Sequence, residues 1–303
     1  MIITPDTIRA LNVSFNNAFQ AGIKLADSQY NQVATVVPSN SSSNVYGWLG
    51  QFPHMKQWVG SRTVRDMAAH AYSLNNILYE STVSVPRVDI EDDNIGTYTP
   101  IFQMQGQEAE QYPNRDVFSV LANGDSIICY DGQNFFDTDH PVFPNVDGTG
   151  TPVSVSNIFT GAPDAPAWYL MDVSKPIKPL IFQQRIKPQI TNKLSDANSD
   201  KVFMEDTFLY GIRARSAAGV GLWQLAVKST KPLNATTYEE AYQALRAMKA
   251  DGGDPLNVVP GLLVVPSPLL PAAKAVVGSE LLNGGASNPH YGLSKILDVA
   301  WLN

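Results

Sequence analysis

The chain has a single cysteine and few charged residues. Of its 303 residues, 16% are Asp, Glu, Lys or Arg, whereas roughly a quarter is usual in globular proteins. Because a weakly charged surface does little to keep copies apart, this composition favours an obligate assembly. The lone Cys129 excludes an internal disulfide and a zinc site of several thiolates within one chain. Its apolar neighbours predict a buried, unreactive thiol.

Long apolar runs and blocks of basic residues are also missing. No apolar run could span a bilayer and the N-terminus lacks a signal-peptide pattern, so we expect a soluble protein of the cytoplasm with no membrane partner. The 21 basic and 28 acidic residues give a net charge of -7 and a pI of about 5.1. We therefore expect no tight nucleic-acid binding, although weak, non-specific contact with DNA stays open.

Catalytic motifs are missing as well. The sequence contains no HExxH pair, no G-x-S-x-G turn and no phosphate-binding glycine loop. The strongest candidate for chemistry is DTDHP, where Asp137, Asp139 and His140 follow Asp131 closely and could form a metal site or a loop-based hydrolase. Acids in a loop rich in Gly and Pro commonly cap turns, and we favour that interpretation. The prediction is a non-enzymatic protein without catalytic residues, metal ligands or a cofactor.

The N-terminal residues predict a helical arm. Thr4, Pro5 and Asp6 form a helix start, in which a capping threonine precedes proline at the first helical position. Residues that recur on one face at steps of three and four are Ile8, Leu11, Phe15, Ala18, Phe19, Gly22 and Ala26. Such an apolar stripe requires a surface to dock against. The polar residues 38–44 predict a loop that separates this arm from the next segment.

An aromatic but irregular segment occupies residues 46–70. It contains three glycines and a proline together with Trp48, Phe52 and Trp58. A segment so interrupted cannot form a core of its own, so its rings pack either beneath the parent domain or onto another chain. Both alternatives stay open on the residues alone, and the three rings are candidate intersubunit anchors.

The rest of the chain predicts a mixture of helices and strands. Residues 73–90 alternate like a strand, and three acids at 91–93 predict the start of a helix that reaches about Ala122, broken or bent at Pro113. Residues 131–166 predict a long irregular region. Further strands are expected at 168–171, 180–182, 202–215, 220–227 and 262–265, and helices at 237–248, with a capping box of Thr237 and Glu240, and at 269–277.

Seven stretches of the sequence, taken in order, resemble the major head subunit family of Mu-like phages. They are SQYNQVA (28–34), YGWLGQFP (46–53), EDDNIGTYTPIFQ (91–103), CYDGQNFFDTDHPVFPNVDGTGT (129–151), KPLIFQQR (178–185), GLWQLA (221–226) and LLVVP (262–266). The resemblance covers essentially the whole chain. It implies the α+β fold of tailed-phage capsid proteins, the Hong Kong 97-type capsid fold.

The resemblance also implies a division of the chain. The expected parts are an N-terminal arm at 1–43, an extended loop at 44–72, a mostly peripheral domain at 73–254 with an irregular insert at about 125–177, and a mostly axial domain at 255–303. The helix at 91–122 would be the spine helix of the peripheral domain. Lys56 is the sole lysine of the extended loop, but no partner asparagine can be named, so no crosslink between subunits is predicted.

The function implied by the resemblance is structural. The chain would be a major capsid protein that self-assembles, through pentamers and hexamers, into the icosahedral head shell of the virion around the phage DNA. Implied partners are a scaffolding protein supplied in trans, a portal protein and a decoration protein. Besides the loop-based hydrolase, a cargo-storing compartment of the same fold is the alternative.

Overall fold

The fold is given by a computed structural model that describes residues 4–47, 49, 72–92, 94–146, 148–193, 204–282 and 284–303. In chain order its main helices are α1 (Pro5–Leu25), α2 (Tyr30–Val33), α3 (Arg87–Glu91), α4 (Tyr98–Ala122), α5 (Ala235–Arg246) and α6 (Leu270–Ala273). Its strands are β1 (Ala34–Pro38), β2 (Ser43–Val45), β3 (Ser73–Asn75), β4 (Ile77–Pro86), β5 (His140–Val142), β6 (Val153–Val155), β7 (Ile158–Phe159), β8 (Trp168–Met171), β9 (Leu180–Lys193), β10 (Thr207–Val220), β11 (Ala226–Ser229), β12 (Leu262–Val265) and β13 (Lys295–Asp298). This mixture confirms the predicted α+β class.

Local sequence accounts for the first helix. Thr4 has an extended backbone, and its hydroxyl accepts a hydrogen bond from the N–H of Thr7 at 3.2 Å. This bond satisfies one of the free donors at the helix start. Leu11, Phe15 and Phe19 of the predicted stripe are buried. The predicted arm helix and its apolar face are therefore confirmed.

Four strands form the first sheet in the order β1–β9–β10–β4. β1 runs parallel to the start of β9, whereas β9, β10 and β4 are antiparallel neighbours. Burial alternates along β10, where Phe208, Tyr210 and Ile212 are buried, so that part of the sheet has one covered face. β9 and β10 overlap the strands predicted at 180–182 and 202–215 and continue beyond them.

Helices α1 and α4 pack side by side on this covered face. The ring of Phe15 on α1 stacks on that of Phe102 on α4 with centroids 4.3 Å apart. Both rings meet the ring of Tyr210 on β10 edge-on at 5.2 Å. Beside these rings, Gly22 and Gly106 allow the two helix backbones to touch, because no side chain stands between them.

Two details of α4 differ from the prediction. The helix begins at Tyr98 and not at the acids of 91–93, because the chain forms the separate helix α3 after Pro86, and Glu91 is its last residue. Pro113 lies inside α4 and does not break it, so the break that the sequence allowed does not occur. Pro113 is buried in the helix interior, and packing of the helix offsets the backbone hydrogen bond that a proline removes.

Five strands form the second sheet in the order β13–β12–β8–β11–β7. The central strands β12, β8 and β11 consist entirely of buried residues, which is typical of a sheet covered on both faces. The apolar run predicted as a strand at 262–265 is β12. This sheet takes strands from residues 158–298 and so includes both sides of the limit expected at residue 255. The domain limits stay a prediction.

The structure corrects two further expectations, the irregular course of residues 131–166 and the capping box at the start of α5. The region 131–166 is not wholly irregular, because it contains the short strands β5, β6 and β7. Helix α5 is capped by Asn234, whose side chain accepts from the N–H of Thr237 at 3.0 Å while the Thr237 hydroxyl accepts from the N–H of Asn234 at 3.2 Å. Thr237 is therefore the inner partner of the capping box, and Glu240 pairs instead with Nζ of Lys231 at 2.9 Å.

Candidate assembly site

The three candidate anchors, Trp48, Phe52 and Trp58, lie outside the described residues. The structure does describe the two places at which their segment joins the domain. Here β2 and β3 form a two-stranded antiparallel ribbon, which we call the root ribbon. The position of the segment therefore depends on how the root ribbon is attached to the first sheet.

Two tyrosines attach the root ribbon to this sheet. The N–H of Tyr46 donates to the carbonyl of Tyr72 at 2.7 Å, and the hydroxyl of Tyr46 donates to Oε1 of Gln183 on β9 at 2.7 Å. The hydroxyl of Tyr72 accepts a hydrogen bond from the N–H of Val220 on β10 at 2.9 Å. Burial raises the pKa of Tyr46 to about 12, so its hydroxyl stays a neutral donor.

Gln183 is an important residue that the sequence analysis missed. Its side chain is fully buried, and its Nε2 donates to the carbonyl of Leu74 at 3.2 Å and to Oδ1 of Asn76 at 2.9 Å. A single amide thus holds the chain both just after β2 and at the end of β3. The available signal was an amide inside the apolar run KPLIFQQR, since a polar side chain on a buried strand needs hydrogen-bond partners.

The DTDHP segment does not form an open site. His140 is fully buried, its Nδ1 lies 2.7 Å from Oδ2 of Asp131, and its ring stacks on Trp223 with centroids 3.9 Å apart. Asp137 accepts a hydrogen bond from the N–H of Thr138, and Asp139 accepts one from the Thr138 hydroxyl. A buried imidazole gives a substrate no access, so the arrangement fits turn capping rather than hydrolysis. Among the described residues, no group of three or more His, Cys, Asp or Glu could hold a metal ion.

The cysteine is as buried as its neighbours predicted. Cys129 is 4% exposed, and its thiol lies 3.7 Å from the carbonyl oxygen of Gly221. Burial raises the pKa of this thiol well above its usual value, which removes the thiolate that nucleophilic chemistry needs. In the part of the chain that the structure describes, no helix is long and apolar enough to cross a membrane.

Comparison with known proteins identifies the family of this chain. The sequence profile of the Mu-like prophage major head subunit gpT family matches residues 8–302. The chain belongs to this family. The major capsid protein of Escherichia phage Mu is 46% identical over 290 residues, which cover 94% of this chain and 93% of that protein. The Mu-like prophage FluMu major head subunit of Haemophilus influenzae is 44% identical over 282 residues, covering 92% and 91%.

Solved capsid structures of bacteriophage JBD30 show the same fold. The chain in the procapsid of bacteriophage JBD30 aligns with a TM-score of 0.88 and 52% identity, covering 99% of this chain and 100% of that chain. The chain in the JBD30 capsid aligns with a TM-score of 0.75 and 42% identity over 100% of both chains. The described conformation is thus more similar to the procapsid chain, and the fold is the Hong Kong 97-type capsid fold.

These findings give the function of this gpT family member. It is a major capsid protein that assembles with copies of itself into the head of a Mu-like phage virion. Its role is structural and not enzymatic. The hydrolase built on Asp131, Asp137, Asp139 and His140 has no support in the family or in the geometry of the buried imidazole.

Proposed function

We propose that the extended segment at residues 44–72 lies across a neighbouring subunit of the head, with Trp48, Phe52 and Trp58 as its anchors. The observation that supports this most is the attachment of its root, where the buried amide of Gln183 holds the chain on both sides. A segment that is held at its root and carries large rings suits an intersubunit contact, because aromatic residues often dominate interface energies.

Replacement of the rings tests this proposal. Trp58→Ala or Phe52→Ala should prevent shells from forming while the melting temperature of the dilute subunit stays unchanged. Trp301→Ala is the matched control, since Trp301 is 45% exposed near the C-terminus and far along the chain from the segment. Electron microscopy and thermal unfolding measure the two effects. Normal shells from a destabilised subunit would place the rings in the subunit's own core.

The copies are proposed to form pentamers and hexamers that close into an icosahedral shell. The neutral composition supports this, and so do the exposed apolar side chains of Leu281, Leu282 and Tyr291, which need partners to cover them. Electron microscopy of the expressed protein should show closed shells, or rings and sheets of five- and six-fold units. Monomers at every concentration, with or without scaffold, would contradict the proposal. Co-purifying cargo peptides would favour the storage compartment instead.

The proposed partners are a scaffolding protein acting in trans, a portal protein and a decoration protein. A relative supports the last, because the JBD30 capsid has been solved decorated with minor capsid protein trimers, and its chain aligns with a TM-score of 0.75 and 39% identity over 100% of both chains. Mixing purified shells with the minor capsid protein encoded by the same phage should give a stoichiometric complex on a density gradient. Shells that stay bare would count against a decoration partner.

Contact with packaged DNA is proposed to be weak and non-specific. Every subunit adds its net charge of -7 to the shell, so the summed field repels phosphate unless basic residues collect on the inner surface. Affinity of purified subunits for duplex DNA should lie in the non-specific range of about 10⁻⁴ to 10⁻⁶ M at physiological salt and fall as salt rises. A fluorescence titration measures it, and nanomolar affinity at that salt would refute this view.

A further inference from the structure

A cavity of about 280 Å³ lies between helix α4 and the first sheet. Residues of α4, β4 and β10 line it, together with Pro188 of β9, and we call it the seam cavity. Ligand sites in proteins usually enclose ~300–1,000 Å³, so this cavity suits a small molecule. A water molecule takes up about 30 Å³ in the liquid, so the cavity has far more space than one bound water needs.

Gln105 supplies a hydrogen-bond acceptor without a partner. Its side chain lines the seam cavity, and the residue is 7% exposed. Its amide nitrogen donates to Ser81 of β4, at 3.3 Å to the carbonyl and at 3.2 Å to the hydroxyl, which uses both of its donors. Its Oε1 is buried and accepts no hydrogen bond from any described residue. Because buried polar atoms are normally paired, the seam cavity calls for a ligand that donates.

Glu108 adds a negative charge at the same end of the seam cavity. It lies three residues after Gln105 on the same face of α4 and is exposed. Its carboxylate makes no hydrogen bond or ion pair within the part of the chain that the structure describes. The carboxylate of Glu80, another lining residue, accepts instead from the hydroxyl of Thr82 at 3.0 Å. This end of the cavity therefore offers two unused acceptor groups, of which one is charged.

The middle of the seam cavity is apolar. It is lined there by Ala109, Ile212 and Ala214. Arg115 marks the other end, about two turns and roughly 10 Å along α4 from Glu108. Its guanidinium nitrogen lies 3.6 Å from the carboxylate of Asp116, so this positive charge already has a partner. A ligand of the cavity needs a donating, positive group at one end and an apolar stem.

We propose that the seam cavity binds a free aliphatic amine, with its ammonium group at Glu108 and Gln105 and its carbon chain along the apolar middle. An ammonium group carries donors only and a positive charge, which matches these two acceptors. A metal cation is a poorer match, because Mg²⁺ and Ca²⁺ take about six or more oxygen ligands and gain nothing from an apolar lining. The site is complete within one subunit, so the inference does not depend on the proposed function.

Three probes of equal chain length test the charge of the ligand. Pentylamine, pentanol and pentanoate are titrated into dilute subunits in a buffer free of amines, and ligand-observed NMR gives each dissociation constant. We expect pentylamine to bind roughly two- to five-fold more tightly than pentanol, which is the contribution of an exposed ion pair, and pentanoate to bind most weakly. Tighter binding of pentanoate would overturn the proposal and assign the cavity to Arg115. Equal binding of amine and alcohol, or no binding of any probe, would overturn it as well.

A change of one carboxylate locates the ammonium group. Glu108→Gln keeps the shape of the side chain and removes its charge, so the preference for pentylamine over pentanol should disappear while pentanol binds as before. Glu280→Gln is the matched control, because Glu280 is exposed and does not line the cavity, and it should keep the preference. A preference that survives in Glu108→Gln would contradict this placement.

A variant that fills the seam cavity provides a second measurement. Ala109 lines the cavity and is 8% exposed, and Ala109→Met brings a flexible side chain into the space. Pentylamine should raise the melting temperature of the parent but not of this variant, since only the parent binds it. If Ala109→Met does not unfold cooperatively, Ala214→Val fills the same space from β10. A folded variant that binds the amine as the parent does would place the ligand elsewhere and refute the proposal.

A capped lysine distinguishes a free amine from a lysine of another protein. In this orientation the peptide groups of a lysine residue would lie in the apolar middle, where unpaired polar groups are costly. Lysine with an acetylated α-amino group and an amidated carboxyl group should therefore bind several-fold more weakly than pentylamine. Tighter binding of the capped lysine would overturn the assignment of a free ligand.

Discussion

Alanine in place of Gly22 should destabilise the protein, although alanine is the better helix former. A Cβ atom on Gly22 would lie 2.0 Å from the carbonyl oxygen of Gln103, and one on Gly106 would lie 2.1 Å from that of Phe19. Carbon and oxygen atoms in contact are about 3.3 Å or more apart. Because the obstacles are backbone atoms of the facing helix, they cannot rotate away. Helices α1 and α4 would have to separate by roughly 1 Å.

The magnitude follows from two opposing effects. Alanine gains about 1 kcal/mol over glycine in a helix interior. Overpacking typically costs ~1–3 kcal/mol and occasionally more, and a gap of this size also weakens the contacts of the stacked rings of Phe15 and Phe102. We expect a net loss of about 1–2 kcal/mol in the free energy of unfolding for each substitution. For a chain of 303 residues, an unfolding entropy of about 2.1 cal/mol/K per residue means that the melting temperature falls by roughly 1.6 °C per kcal/mol.

Urea unfolding of dilute subunits, followed by circular dichroism, measures this loss. Gly96→Ala is the control, because a Cβ atom there meets nothing within 4 Å, and it should leave stability nearly unchanged. The double variant of Gly22 and Gly106 should lose less than the sum of the single losses, since one displacement of the helices relieves both clashes. A Gly22→Ala subunit as stable as the parent would refute this account of the helix crossing.

Three further predictions concern single sites. The double change Asp139→Asn and His140→Ala should leave metal content and hydrolytic activity unchanged. It should lower the melting temperature, because the imidazole is a buried, hydrogen-bonded group. A stoichiometric ion that metal analysis finds in the parent but not in this variant would contradict the first expectation. Asn114→Ala should lower the free energy of unfolding by about 1–3 kcal/mol, since Oδ1 of Asn114 accepts two backbone N–H bonds where α2 begins; unchanged urea stability would show that water replaces it. The thiol of Cys129 should resist a colorimetric thiol reagent in folded subunits at mildly alkaline pH, because burial raises its pKa, and rapid reaction before unfolding would be inconsistent with this packing.

Several of the confirmed predictions depend on near neighbours in the chain. Thr4 caps α1, the apolar stripe with Phe15 is buried, and the apolar run at 262–265 is a strand. A cap involves residues three apart, and the period of apolar residues distinguishes a helix from a strand. The role of the aromatic, interrupted segment with Trp58 as a contact between subunits stays a prediction, which rests on a composition that cannot form a core by itself.

Other features were decided by residues that are distant in the chain. Pro113 continues a helix because that helix packs on a sheet whose strands lie far along the sequence, and the packing offsets a local penalty. His140 is buried against Trp223, which only folding brings beside it. Gln183 gains its role from partners on both sides of the root ribbon. Burial and hydrogen bonding are properties of the packed chain, so the tertiary structure alone could show which polar residues are structural.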